Sequence, residues 1–134
     1  MRKFLLALCF SLLAPAVCAD DLPAIAGLKA FRAPMDGIVS EVGKGPAADL
    51  AAIAASYADA DKAWKQVLSE PLDLVRYGVP AEKQEEIWSQ VRMLGMLVGY
   101  LDEAVKRGDR ALIVRAAGML KPAYDELAGS LGAR

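Results

Sequence analysis

Apolar positions along this chain recur in steps of three and four, and no segment alternates with the period of two that a strand requires. After Asp20-Asp21, the residues Ile25, Leu28, Phe31, Met35, Ile38 and Val42 mark one face of a first helix. Pro34 interrupts that face, so the helix is either kinked there or begins there with Pro34 in its first turn. Gly43-Lys44-Gly45-Pro46 closes it with a short loop. A second helix is predicted from Pro46 to about Ser69, with Leu50, Ile53, Tyr57, Ala60, Trp64 and Val67 as its apolar seam. Asp59, Asp61, Lys62 and Lys65 fall off that seam and should face water. Pro71 stops this helix, and residues 71–80 form the longest connection.

The third helix, from about Pro80 to Arg107, carries the clearest signals. Glu82, Glu85 and Glu86 lie near its positive end and Lys106 and Arg107 near its negative end, as the helix dipole favours. Its seam is Ile87, Val91, Leu94, Val98, Leu101 and Val105. Gly108 is the expected C-terminal cap, and Asp109 the N-cap of a fourth helix. That helix has Ile113, Ala117, Leu120, Tyr124, Leu127 and Leu131 on its seam, and Pro122 as its kink. The predicted fold is all-α, an up-down-up-down four-helix bundle. Residues 88–122 have about the length of a tetratricopeptide unit, but the signature positions match poorly and one such unit cannot bury its own core.

The first residues read differently from the rest. Arg2 and Lys3 precede an apolar run from Phe4 to Leu13, Pro15 breaks it, and Val17-Cys18-Ala19 supplies the small-residue region that a signal peptidase reads. This order predicts a signal peptide over residues 1–19, cleaved after Ala19, and one bundle domain over 20–134. The apolar run is far short of the roughly 20 residues a membrane-spanning helix needs, so no membrane association is expected after cleavage. Val17 is too large for the position before a lipidated cysteine, and one arginine ahead of the run gives no twin-arginine signal.

Trimming would remove both cysteines, Cys9 and Cys18, and two cations from a chain whose formal net charge is −1. The remaining domain would then have no disulfide, although an export compartment permits them. A core of this size needs no such staple. There is no clustered Lys and Arg surface of the kind nucleic-acid binding needs. Asparagine is absent, and with it any N-glycosylation acceptor; the alanine-rich, asparagine-free composition reads as bacterial, with the periplasm as destination.

The chain also has no histidine. Serine triads, zinc sites with His or Cys ligands and di-iron sites built on Glu-x-x-His all lack a necessary group. No phosphate-binding glycine loop or Gly-x-Ser-x-Gly occurs. Glu85/Glu86 and Asp102/Glu103 read as solvated helix flanks rather than acid–base pairs, so an enzyme is not expected. Met93 and Met96, three apart, together with Met35 form the methionine set that a Cu(I) site would use, against the plainer reading of methionine as core filler. Gly95 and Gly99 make a Gly-x-x-x-Gly step inside the uncharged run Met93 to Leu101. It permits close helix approach within the bundle or across a homodimer through the third helix. That run is apolar nearly all round, more than one buried stripe requires.

Glu86-Ile87-Trp88, then Ala104 to Asp109, then Leu120-Lys121-Pro122-Ala123-Tyr124-Asp125-Glu126-Leu127 resemble the C-terminal half of cytochrome c-prime. Those proteins are periplasmic four-helix bundles whose last helix ends in a haem-linking Cys-Lys-x-Cys-His. In the matching register, Leu120 and Ala123 stand at the two cysteine positions and Tyr124 at the axial histidine. Arg32 and Met35 are similar to the Arg and Met of that family's haem pocket. The resemblance implies the fold and the compartment, but covalent haem has lost both linking thiols. The expected function is therefore a cofactor-free periplasmic binding or accessory protein, acting on a protein partner or as a homodimer. The alternative is an electron-transfer or ligand-binding protein with non-covalent haem, held by Tyr124 or Met119 with Arg32 beside it, or with Cu(I).

Overall fold

The computed structural model describes residues 22–133. The signal peptide expected over residues 1–19 lies outside the described residues. Helix α1 runs Pro23–Val42, α2 Leu50–Val67, α3 Ala81–Arg107 and α4 Arg110–Leu131. No strand occurs among the described residues, and each helix packs on its two neighbours in the order α1, α2, α3, α4 and back to α1. This is the four-helix bundle that the periodicity predicts.

The helix ends follow from local chemistry. Pro34 lies inside α1 and does not begin it; the helix starts instead at Pro23, whose missing N–H costs nothing in a first turn. Within α1, Pro34 can give no N–H to the carbonyl of Ala30, and Ala30 is exposed, so water can satisfy that oxygen. Pro122 does the same inside α4, where the exposed residue four back is Gly118. The second helix begins later than Pro46. Pro46 belongs to one turn of 3₁₀-helix, Gly45–Ala47, and α2 starts after Asp49, whose carboxylate accepts from the Ala51 N–H at 2.9 Å. Glu41 at the end of α1 reinforces this cap by accepting from Lys44 at 2.8 Å and from the Asp49 N–H at 2.7 Å, which hold its carboxyl below the usual range. Gly108, with φ 62°, ends α3 in the left-handed region, and Asp109 caps α4 through the Leu112 N–H at 3.1 Å.

Side-chain packing fills the interior. The seam residues of α3 and α4 point inward, and among the described residues no charged side chain is buried. Phe31 of α1 is the hinge of the arrangement. Its ring stacks on Tyr124 of α4, with centroids 5.6 Å apart, and meets Trp64 of α2 edge-on at 6.4 Å. Helices α1 and α2 approach closely at Gly27. A Cβ there would lie 2.6 Å from Val67 Cγ2 and 2.7 Å from the Val67 backbone nitrogen.

The long connection is tied down rather than loose. Leu74 and Val79 are buried, and the Tyr77 hydroxyl accepts from the Ala24 N–H at 3.2 Å, fastening residues 71–80 to the start of α1. Arg110 donates to the Ala48 carbonyl at 2.9 Å, joining the start of α4 to the turn between α1 and α2. Arg32 donates to the Ala133 carbonyl at 3.4 Å.

Candidate functional site

Two regions compete for the site: the interior around Tyr124, where the haem alternative would act, and the outer face shared by α3 and α4. Tyr124 has no exposure, and its hydroxyl donates to the Leu28 carbonyl at 2.6 Å. One side of its ring is covered by Phe31, and the Arg32 guanidinium lies 5.9 Å from the ring centroid. The seam position of Tyr124 thus brings it to a filled core, with its only polar atom already used. Leu120 and Ala123, at the positions of the linking cysteines, are buried as well.

The expected ligand sets do not assemble. Arg32 and Tyr124 do meet, as the haem alternative requires, but Met119 is half exposed on the outer surface while Tyr124 points inward. The copper set is divided in the same way. Met35 is sealed in the core, whereas Met93 and Met96 stand exposed on α3, so the three thioethers do not converge. The reason is geometric: Met35 occupies a seam position of α1, and Met93 and Met96 flank the seam of α3 on its solvent side.

Exposed apolar side chains collect on the other region. Met93, Met96 and Tyr100 of α3, and Leu112 and Met119 of α4, are all large, apolar and open to solvent. Between the helices runs a groove with two hollows. One, of about 430 Å³, is lined by Leu97, Tyr100, Leu112 and Met119 together with Glu103, Arg107 and Arg115. The other, of about 450 Å³, continues along Met93, Leu97, Met119 and Pro122, with Glu126 at its edge. The lining therefore combines large apolar side chains with a few charged ones. Flexible thioethers suit such a surface because they repack around different shapes.

No protein-family model, curated protein or solved structure matches this chain.

The Gly-x-x-x-Gly step is split between two tasks. A Cβ on Gly95 would come within 3.3 Å of Trp64 Cζ2, so this glycine admits the indole of α2. Gly99 faces open space. Ion pairs also form along single helices near the α2–α3 seam. Lys106 lies 2.7 Å from Asp102, and Lys65 2.8 Å from Asp61. Burial, and then hydrogen bonding to Asp102, push the Tyr57 hydroxyl well above its ordinary range. Lys106 and Tyr57 hold the Asp102 carboxyl below the usual carboxylate range. Tyr57 is buried in the seam, while the lysines beside it are exposed.

Sequence reasoning singled out Met93, Met96 and Met119 but assigned them to metal or haem. It left out Tyr100, Leu112 and Arg115, which complete the groove. The signal was the run Met93 to Leu101, apolar on positions that the seam does not use.

Proposed function

We propose that this chain is an exported periplasmic bundle that works by protein contact, through the outer face of α3 and α4, and carries no prosthetic group. The observation that supports this reading most directly is the contrast between the two regions. The interior is filled by the residues a cofactor would displace, while four of the exposed large apolar side chains, Met93, Tyr100, Leu112 and Met119, line one outer groove. The likeness to cytochrome c-prime belongs to the same proposal: a bundle of that shape in which Phe31, Leu120 and Tyr124 fill the haem volume. As a binding or accessory protein it has no bond to make or break, which accords with the absence of histidine.

The test uses the whole chain, expressed with its leader and purified from the periplasmic fraction. The expected product begins after Ala19, is colourless and metal-free, and keeps its melting temperature when haem or Cu(I) is added. A photo-crosslinking residue at Met119 should give protein adducts that the same residue at Asp36, on α1, does not. A Soret band that survives dialysis and disappears in Tyr124→Phe would overturn the reading, as would equal adducts from both positions.

A further inference from the structure

We infer that the outward ridge of α3 is the contact of a homodimer in which two copies lie antiparallel about a two-fold axis at Met96. The inference rests on the reading of the α3/α4 face as the working surface and names its occupant. Glu85, Ser89, Arg92, Met96, Tyr100, Glu103 and Arg107 are all exposed. They follow one another in steps of four, three, four, four, three and four, which keeps them on one side of the helix. That order of steps is the same read from either end, with Met96 at its centre. Two antiparallel copies related by a two-fold axis at Met96 therefore lay this ridge upon itself with every position in register.

The chemistry is complementary at each pairing. Glu85 faces the second copy's Arg107, opposite charges at the two ends of the contact. Ser89 faces the second copy's Glu103, a hydroxyl donor against a carboxylate. Arg92 faces the second copy's Tyr100, a guanidinium against an aromatic ring. Met96 meets Met96 on the axis. In a parallel arrangement each of these residues would meet its own like, carboxylate on carboxylate and guanidinium on guanidinium, so charge selects the antiparallel form.

Little has to be given up to make these contacts. Arg92 lies 3.5 Å from Glu85 and Arg107 3.5 Å from Glu103, long pairs between side chains that are each 60% exposed or more. Such pairs contribute little in water and exchange freely. The ridge is roughly 33 Å long at 1.5 Å per residue. Met93, Leu112 and Met119 flank it and add apolar area. A contact of this kind falls at the small end of specific interfaces, which corresponds to a reversible dimer with a dissociation constant on the order of micromolar.

Sedimentation velocity on the full protein, over a concentration series, tests this. The native chain should dimerise. Met96→Glu should raise the dissociation constant about 100-fold, since it puts two carboxylates on the axis. Glu85→Arg and Arg107→Glu should each raise it about tenfold. The double variant should return to within about threefold of native, because the exchanged charges face each other again across the axis. All of these residues are exposed, and circular dichroism should show unchanged helix content. A double variant no tighter than the single ones overturns the antiparallel register. A native chain that stays monomeric throughout overturns the dimer; if Met119 still forms adducts in that case, the docking-face reading stands, and if it does not, that reading falls too.

Discussion

Gly27 and Gly99 show how differently one residue type is used in this bundle. At Gly27 the neighbours that a methyl group would strike include the backbone nitrogen of Val67 and, at 2.9 Å, the carbonyl of Ala63, neither of which can rotate away. Gly27→Ala should therefore destabilise the fold by about 1–3 kcal/mol despite alanine's better helix propensity. At Gly99 nothing lies within reach, so Gly99→Ala should stabilise by up to about 1 kcal/mol. Urea unfolding of the two variants beside the native chain measures both signs. None of this was legible in the sequence, where Gly95 and Gly99 form a recognisable step and Gly27 stands alone. A close approach is a property of two helices, and a pattern along one of them cannot show it. Tyr124 was half legible: its seam position gave its burial, but the hydrogen bond to Leu28, 96 residues away, depends on the register of α1 against α4.

The helices themselves were read well because each satisfies several rules at once. In α3 the seam, the acidic first turns, the basic last turn and the left-handed Gly108 all agree. The start of α2 was misplaced because Pro46 is a strong local signal, whereas the decisive cap at Asp49 depends on Glu41 reaching across the turn. The Asp102–Lys106 pair on α3 gives the bundle a pH response of definite sign. Asp102 has its folded pKa lowered by Lys106 and Tyr57, so its contribution is present above the unfolded carboxylate value and is lost as pH falls through the lower folded value. Lys106, raised by Asp102, contributes below the unfolded lysine value and loses that contribution as pH rises through its folded value. Asp102→Asn should thus lower stability at neutral pH and flatten its fall as pH drops below about 4. Denaturant melts of native and variant chains over that range check this.

For the molecule as a whole, the arrangement sorts its large apolar residues into two populations with different work. Those on the seams close the core, and with no charged residue buried among the described ones, the core demands no compensating ion pair. Outside the seams, Leu68 and Val75 stand apart, and the other exposed ones lie on α3 and α4. The sequence showed this surplus as a run too apolar for one stripe, yet it could not show that Leu112 and Met119 of α4 complete the same surface. That requires the two helices to be side by side.

One consequence of this division concerns oxidants. Met93, Met96 and Met119 present their sulfur atoms to the surroundings, while Met35 is shut inside. Conversion of the outer three to sulfoxides would leave the fold standing and make its sticky surface polar, so peroxide should act as an off-switch for association. Mild peroxide treatment is expected to modify those three and spare Met35 by peptide mass, with dimers dissociating and the melting temperature nearly unchanged. Reduction by methionine sulfoxide reductase should then bring association back.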